Sequence, residues 1–248
     1  MRLRLSYPIL FATVGVLWGP TLATSAGNAP AALSNETLVF SEDFATATAL
    51  SPAIWFLEGT GVAEVKDGKV QLQETPDGVG AVLWLRQDAP DNFVLRFKVS
   101  FNSNKGIGVL FMAARGRDGS DALEPAIPRT GAYDEYIRGD LDSYSLSFHR
   151  YWPDGRNNPG SNLRRNSGFH LLDQALPDPC LKSKIVYAFE IRKSGPTLTV
   201  HINGAMTHEA TDPGTWGNPL GAGKIGFRIR GDASCVMTLE DMRLYALP

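Results

Sequence analysis

Apolar residues in this chain recur at every second position, run after run. Phe93, Leu95, Phe97, Val99 and Phe101 alternate with Val94, Arg96, Lys98 and Ser100, the pattern of a strand with one face buried. Ile185, Tyr187, Phe189 and Ile191 repeat it, as do Leu198, Val200 and Ile202. Residues 106–114 (GIGVLFMAA) are apolar on both faces, which predicts a central strand. Further strands are predicted over 38–44, 80–86, 224–230 and 236–244. Asp67-Gly68, inside 62–73, and Asn203-Gly204 are hairpin signals. Helical periodicity is nearly absent. A string of short, evenly spaced antiparallel strands predicts an all-β sandwich or jelly roll.

Two segments interrupt the rhythm. Residues 115–139 form a polar insertion punctuated by Gly and Pro, and residues 152–179 form another, rich in Asn, Arg and Gly. Loops of this length inside a compact domain are usually functional. They flank the segment Asp140 to Trp152 (DLDSYSLSFHRYW), which alternates in an unusual way. Tyr144, Leu146 and Phe148 fall on one face. Ser143, Ser145, Ser147, His149 and Tyr151 fall on the other, so a regular strand would carry a floor of small hydroxyls ending in an imidazole and a phenol.

The first residues have the order of an export signal. Arg2 and Arg4 are followed by an apolar run from Leu5 to Trp18 and by the small residues Thr24-Ser25-Ala26. Pro8 and Pro20 break the run, and it is too short for a membrane span. This predicts a signal peptide over 1–26, a flexible lead-in over 27–34, one domain over 35–248, and a periplasmic or secreted location. With 24 basic against 26 acidic residues, the formal charge of -2 gives no field toward nucleic acid or an anionic membrane. Cys180 and Cys235 are the two cysteines, and in an exported chain a pair is expected to be bridged.

Residues 138–172 concentrate Arg138, Arg150, Arg156, Arg164 and Arg165 with Asn157, Asn158, Asn162 and Asn166. Guanidinium forks suit carboxylates and sulfates. Asn amides both donate to and accept from sugar hydroxyls. Tyr133, Tyr136, Tyr151 and Trp152 can stack on sugar rings. The expected partner is therefore an acidic polysaccharide or oligosaccharide. Two glutamates at the spacing of a retaining glycosidase are absent, as are zinc-site spacing, a phosphate loop and a G-x-S-x-G motif. No cofactor is implied; a structural Ca²⁺ is compatible with such a sandwich.

Without a carboxylate pair, β-elimination from a uronic acid fits these residues. An arginine or asparagine neutralises the carboxylate, and a histidine or tyrosine moves the protons. His149 and Tyr151 are the predicted acid/base pair, with His170 the other catalytic candidate. Arg138, Arg150, Arg164, Arg165, Asn157 and Asn158 are predicted to hold the substrate, with Tyr133, Ser145, Ser147 and Trp152 lining its site. A non-catalytic carbohydrate-binding protein is the second reading. A glycoside hydrolase using Asp140, Asp142 or Glu135 is the third.

The block from Ser143 to Leu172 (SYSLSFHRYWPDGRNNPGSNLRRNSGFHLL) resembles the YesU-like family, a bacterial family of unassigned function. The opening LVFSEDF and closing LEDMRLY are similar to the paired end strands of concanavalin A-like sandwiches. The resemblance spans nearly the whole chain after the signal. It implies a concanavalin A-like jelly roll and an association with breakdown of acidic plant or algal polysaccharides. It assigns no catalytic residue.

Overall fold

In a computed structural model, residues 35–248 are described, except residue 126. The predicted signal peptide and lead-in lie outside the described residues. Fifteen strands and one short helix follow in order. They are β1 (Thr37–Glu42), β2 (Trp55–Gly59), β3 (Gly61–Lys66), β4 (Lys69–Glu74), β5 (Ala81–Ala89), β6 (Phe93–Phe101), β7 (Gly106–Gly116), α1 (Tyr133–Ile137), β8 (Leu141–Phe148), β9 (Ser161–Asn166), β10 (His170–Ala175), β11 (Tyr187–Ser194), β12 (Thr197–Ile202), β13 (Ala205–Thr211), β14 (Gly223–Gly231) and β15 (Met237–Ala246).

They form two antiparallel sheets. The first has the order β13-β12-β11-β6-β15-β4-β3, with β1 added to β15, and the second has the order β10-β9-β8-β7-β14-β5-β2. The opening and closing strands pair, Leu38 lying opposite Tyr245. The hairpins at Asp67-Gly68 and Asn203-Gly204 each hold positive φ at both turn residues, as a type I′ turn requires.

The alternating runs explain the core. Leu95, Phe97 and Val99 of β6 and Phe189 and Ile191 of β11 point inward from the first sheet. Leu110 and Met112 of β7, Tyr144, Leu146 and Phe148 of β8, and Phe227 and Ile229 of β14 meet them from the second. Phe97 stacks on Phe189 at 4.8 Å and meets Phe227 edge-on at 5.0 Å, arrangements aromatic rings favour. The run 106–114 is central as predicted, since β7 lies between β8 and β14. Its second apolar face is used as well. Val109 and Phe111 join Val82, Trp84, Tyr136, Ile137 and Leu141 in a separate cluster on the outer side of the second sheet.

The two insertions are more ordered than the sequence suggests. Residues 152–179 contain the β9–β10 hairpin, and residues 115–139 contain α1. The expected disulfide is absent. Cys180 and Cys235 are free thiols, each fully buried. Cys235 Sγ faces the Ser103 carbonyl at 3.7 Å, while Cys180 lies in the segment between β10 and β11. Burial raises both thiol pKa values, so neither is an activated thiolate.

Candidate functional site

Strand register builds the site. On the outer face of the second sheet, one row of directly opposed residues reads Gln174, Asn162, Ser147, Val109, Arg228, Val82 and Glu58 from the β10 edge to β2. The next row reads Leu171, Arg164, Ser145, Phe111, Gly226, Trp84 and Phe56. In each row the chemistry changes between β8 and β7. The β8–β10 side is polar apart from Leu171, and the rest is mostly apolar.

The cover is the segment between β7 and β8. Tyr136 of α1 packs on Phe111 at 5.2 Å and on Trp84 at 6.4 Å. Beneath it the Glu58 carboxylate accepts hydrogen bonds from Trp84 Nε1 and the Tyr136 hydroxyl, both at 2.9 Å, and pairs with Arg129 Nη2 at 3.0 Å. Arg129 and Glu58 have almost no exposed side chain. A buried charge of this kind persists only where it is paired and hydrogen-bonded.

At the boundary Arg228 stacks on a phenol whose aromatic neighbour, Phe169, carries Arg164. Tyr133 is the first residue of α1, and the charges of Arg228, Arg164 and Arg150 pull its phenol pKa down against burial. Arg228 stacks on the Tyr133 ring with Cζ 5.0 Å from its centroid, and its fork reaches the Gly131 and Val79 carbonyls. Arg164 lies 3.9 Å over the Phe169 ring and donates to the Phe169 carbonyl. Arg150 donates to the carbonyls of Pro159 and Gly160. Asp178 lies close enough to Arg150 to stabilise its charge, but its oxygens accept the backbone N–H groups of Arg150 and Cys180.

The electrostatics follow. Burial lowers the pKa of all three guanidiniums. For Arg164 the neighbouring Arg150 charge pushes further the same way. They remain cations with little anionic compensation nearby. Burial also raises the Tyr133 phenol above its ordinary value, with the three arginines and Ser145 pulling against it. Tyr133 therefore rests protonated at neutral pH. Beside this cluster Asn166 donates to both Ser143 and Ser145 at 3.1 Å, while its Oδ1, fully buried, has no hydrogen-bond partner among the described residues.

Several predicted site residues lie elsewhere. The alternation of β8 ends at Phe148. His149 takes a left-handed backbone, with φ of 48°, and its ring swings inward to stack on Phe101 at 4.0 Å. The ring is wholly buried, with Nδ1 2.8 Å from the Cys180 carbonyl and Nε2 2.9 Å from the Ser103 carbonyl. Burial depresses its pKa. Tyr151 follows it inward and donates its hydroxyl to the Leu181 carbonyl at 2.6 Å. Both rings are structural, which corrects the predicted acid/base pair.

His170 stacks on Trp216 at 4.2 Å, apart from the arginine cluster. Arg165 points away from Arg164, as neighbours on a strand must, and pairs with Asp212, which also accepts the Tyr144 hydroxyl. Arg138 is exposed and paired with Asp134. Ser145 and Ser147 do face outward as predicted, but Ser145 is covered and bonded to Asn166, and the Ser147 hydroxyl accepts the Asn162 backbone N–H. They form a floor beneath the cluster. Trp152 and Asn157 are exposed in the loop after β8, where the Asn158 N–H bonds the Arg150 carbonyl.

The alternative hydrolase carboxylates are occupied. Glu135 accepts Thr130 and Gly131 N–H groups, Asp142 accepts the Ser167 N–H, and Asp140 faces Arg129. Among the described residues no group of three or more His, Cys, Asp or Glu is arranged to hold a metal ion. Sequence reasoning missed Arg228 and Phe169. The run KIGFRIR carries the signal for Arg228, because Lys224 and Arg228 alternate with the inward Ile225, Phe227 and Ile229.

Two antiparallel sheets, with a cationic cluster on the outer face of one, define a jelly-roll β-sandwich of the galectin-like kind. Residues 37–234 match the family described as Domain of unknown function (DUF1961), and the chain belongs to that family. It is 34% identical over 180 residues to the uncharacterized protein YesU of Bacillus subtilis (strain 168), covering 70% of this chain and 81% of that one. A solved protein of unknown function with a galectin-like fold from Bacillus subtilis superposes with a TM-score of 0.75 at 28% identity, covering 86% of this chain and 98% of that one. The carbohydrate recognition domain of Emp47p superposes at 0.60 with 15% identity, covering 86% and 98%, a likeness of fold.

Proposed function

We propose that this chain is an exported carbohydrate-active protein that takes an acidic saccharide on the β8–β10 half of the second sheet. The reaction that this site supports best is β-elimination from a uronic-acid-containing glycan. The observation that carries the reading is that Arg228 stacks on the Tyr133 ring while Arg164 stacks on Phe169, which meets Tyr133 edge-on. A sandwich of the same fold named as a carbohydrate recognition domain supports a glycan as the ligand.

In this reading Arg150 and Arg164 hold the uronate carboxylate, and its neutralisation acidifies the adjacent C–H. Tyr133, as phenolate, takes that proton. The C–H electron pair becomes the new C=C bond, the bond to the glycosidic oxygen breaks, and the phenol returns its proton to that oxygen. Tyr136, the other phenol on this face beside the cluster, is held by Glu58. Hydrolysis is disfavoured because Glu58, Glu135 and Asp142 are tied into the structure. Binding without turnover is favoured by one observation, the raised Tyr133 phenol.

The test is a screen of uronic-acid polysaccharides read for the ultraviolet band of the conjugated unsaturated product, with Tyr133→Phe as control. Absorbance that grows with wild type and is lost in the variant supports elimination. Retention in affinity gels without absorbance moves the assignment to binding. Neither signal across the panel rejects both.

A further inference from the structure

Two of the four histidines are buried, His149 and His208, and they differ in what faces their rings. His208 has the Thr207 hydroxyl 3.1 Å from Nδ1 and the Ser161 carbonyl 3.2 Å from Nε2. The hydroxyl can turn its proton to Nδ1 while Nε2–H donates to Ser161, so a neutral ring meets both contacts. His149 has a carbonyl on each side, that of Cys180 at 2.8 Å from Nδ1 and that of Ser103 at 2.9 Å from Nε2. Carbonyls only accept, and a neutral imidazole has one N–H. Its bare nitrogen would aim a lone pair at a carbonyl oxygen in a site closed to water, where an unmade hydrogen bond is costly. The charged ring donates to both.

Asp178 supplies the opposite charge. It is 2% exposed. Its Oδ2 accepts the Arg150 N–H at 3.0 Å and its Oδ1 accepts the Cys180 N–H at 2.8 Å, so both oxygens act as those of a carboxylate do. The Cys180 main chain stands between the two charges, its N–H on Asp178 and its carbonyl on His149. The imidazole also lies parallel to the Phe101 ring at 4.0 Å, a face that attracts a cation. The other titratable groups at this end are Arg150, whose charge Asp178 also favours, and Tyr151, Tyr187, Cys180 and Cys235, which burial keeps neutral. Among the described residues Asp178 is therefore the anion acting on the ring.

We propose that His149 is an imidazolium in the folded protein and forms, with Asp178, a pH-sensitive clasp. It fastens the end of β8 to the turn between β6 and β7 through Ser103, and to the segment between β10 and β11 through Cys180. Burial alone would hold the ring neutral. Each charge favours the other, and the four hydrogen bonds all run in the sense that the ions require, the condition under which a buried pair persists. A proton held more tightly than in the unfolded chain contributes stability that is complete below about pH 6.5 and is lost as pH rises.

Imidazole nitrogen NMR of the wild-type protein at neutral pH tests this without any substitution. Two protonated ring nitrogens at His149 are expected, and one bare nitrogen there overturns the proposal. In Asp178→Asn the ring should lose its proton about one pH unit lower or more, a tenfold change in proton affinity; an unmoved titration overturns the part given to Asp178. The urea midpoint of wild type should exceed that of His149→Gln by an amount that shrinks from about pH 6 to about pH 9. A difference that grows over that range means the ring is buried neutral and there is no clasp.

Discussion

The two halves of one sheet face have the same backbone and opposite uses. From β2 to β7 the outward residues are Phe56, Val82, Trp84, Val109 and Phe111, capped by α1 and stitched by a buried ionic cluster. From β8 to β10 they are Ser, Asn, Gln and Arg with one leucine, Leu171, and the guanidiniums lack direct carboxylate partners. The first half behaves as a second core. In the second, cationic side chains are held close together, which costs stability unless an anion arrives. Strand geometry alone does not decide whether an outer face is scaffold or site; the side chains on it do.

The comparison can be broken by substitution. On the covered half, Trp84→Ala removes the ring stacked with Phe111 and bonded to Glu58. A loss of about 3–5 kcal/mol is expected, read as a lower urea midpoint. Glu58→Gln leaves Arg129 without its buried carboxylate and should cost a similar amount, about 3–5 kcal/mol. If either variant unfolds like wild type, the covered half is not a core.

On the polar half the expected effects fall on ligands. Tyr133→Phe keeps the ring between Arg228 and Phe169 but removes the proton carrier. Elimination should fall by about a hundredfold to ten-thousandfold while acidic-saccharide affinity stays within a few-fold. Arg164→Ala should weaken uronide binding by about 1.5–3 kcal/mol with little change in the urea midpoint. An equal loss of stability would make Arg164 a structural residue.

The pH dependence sharpens the same contrast. The proposed elimination requires the Tyr133 phenolate, and burial raises its pKa above the usual value of about 10. Below that pKa the phenolate fraction, and with it the rate, should rise about tenfold per pH unit from neutrality upward. A rate that levels off below pH 9 (roughly, well short of a phenol's range) would point to another base.

Much of this was legible in the chain. β6 and the β3–β4 and β12–β13 hairpins follow from alternation and from Asp-Gly and Asn-Gly, and the outward Ser143, Ser145 and Ser147 were read correctly. β9 was hidden for a physical reason. In SNLRRN only Leu163 faces the apolar core, so the hydrophobic period vanishes where the outer face is Asn162, Arg164 and Asn166. β2 was hidden in the opposite way, because WFLEG meets packed neighbours on both sides. The misassigned histidine is a third kind of failure. Period-two counting holds only while φ stays extended, and one residue with φ of 48° ended it.

That single twist has a consequence for its neighbour. Had the strand run on unbent, residue 149 would have faced the outer side of the sheet and residue 150 the interior. By turning its imidazole into a bracket between two distant carbonyls, the chain delivers the next guanidinium to the opposite side, where it meets the Pro159 and Gly160 carbonyls. His149 acts as a pivot that sets where a charge emerges, a role that any substitute would have to reproduce in shape as well as in polarity.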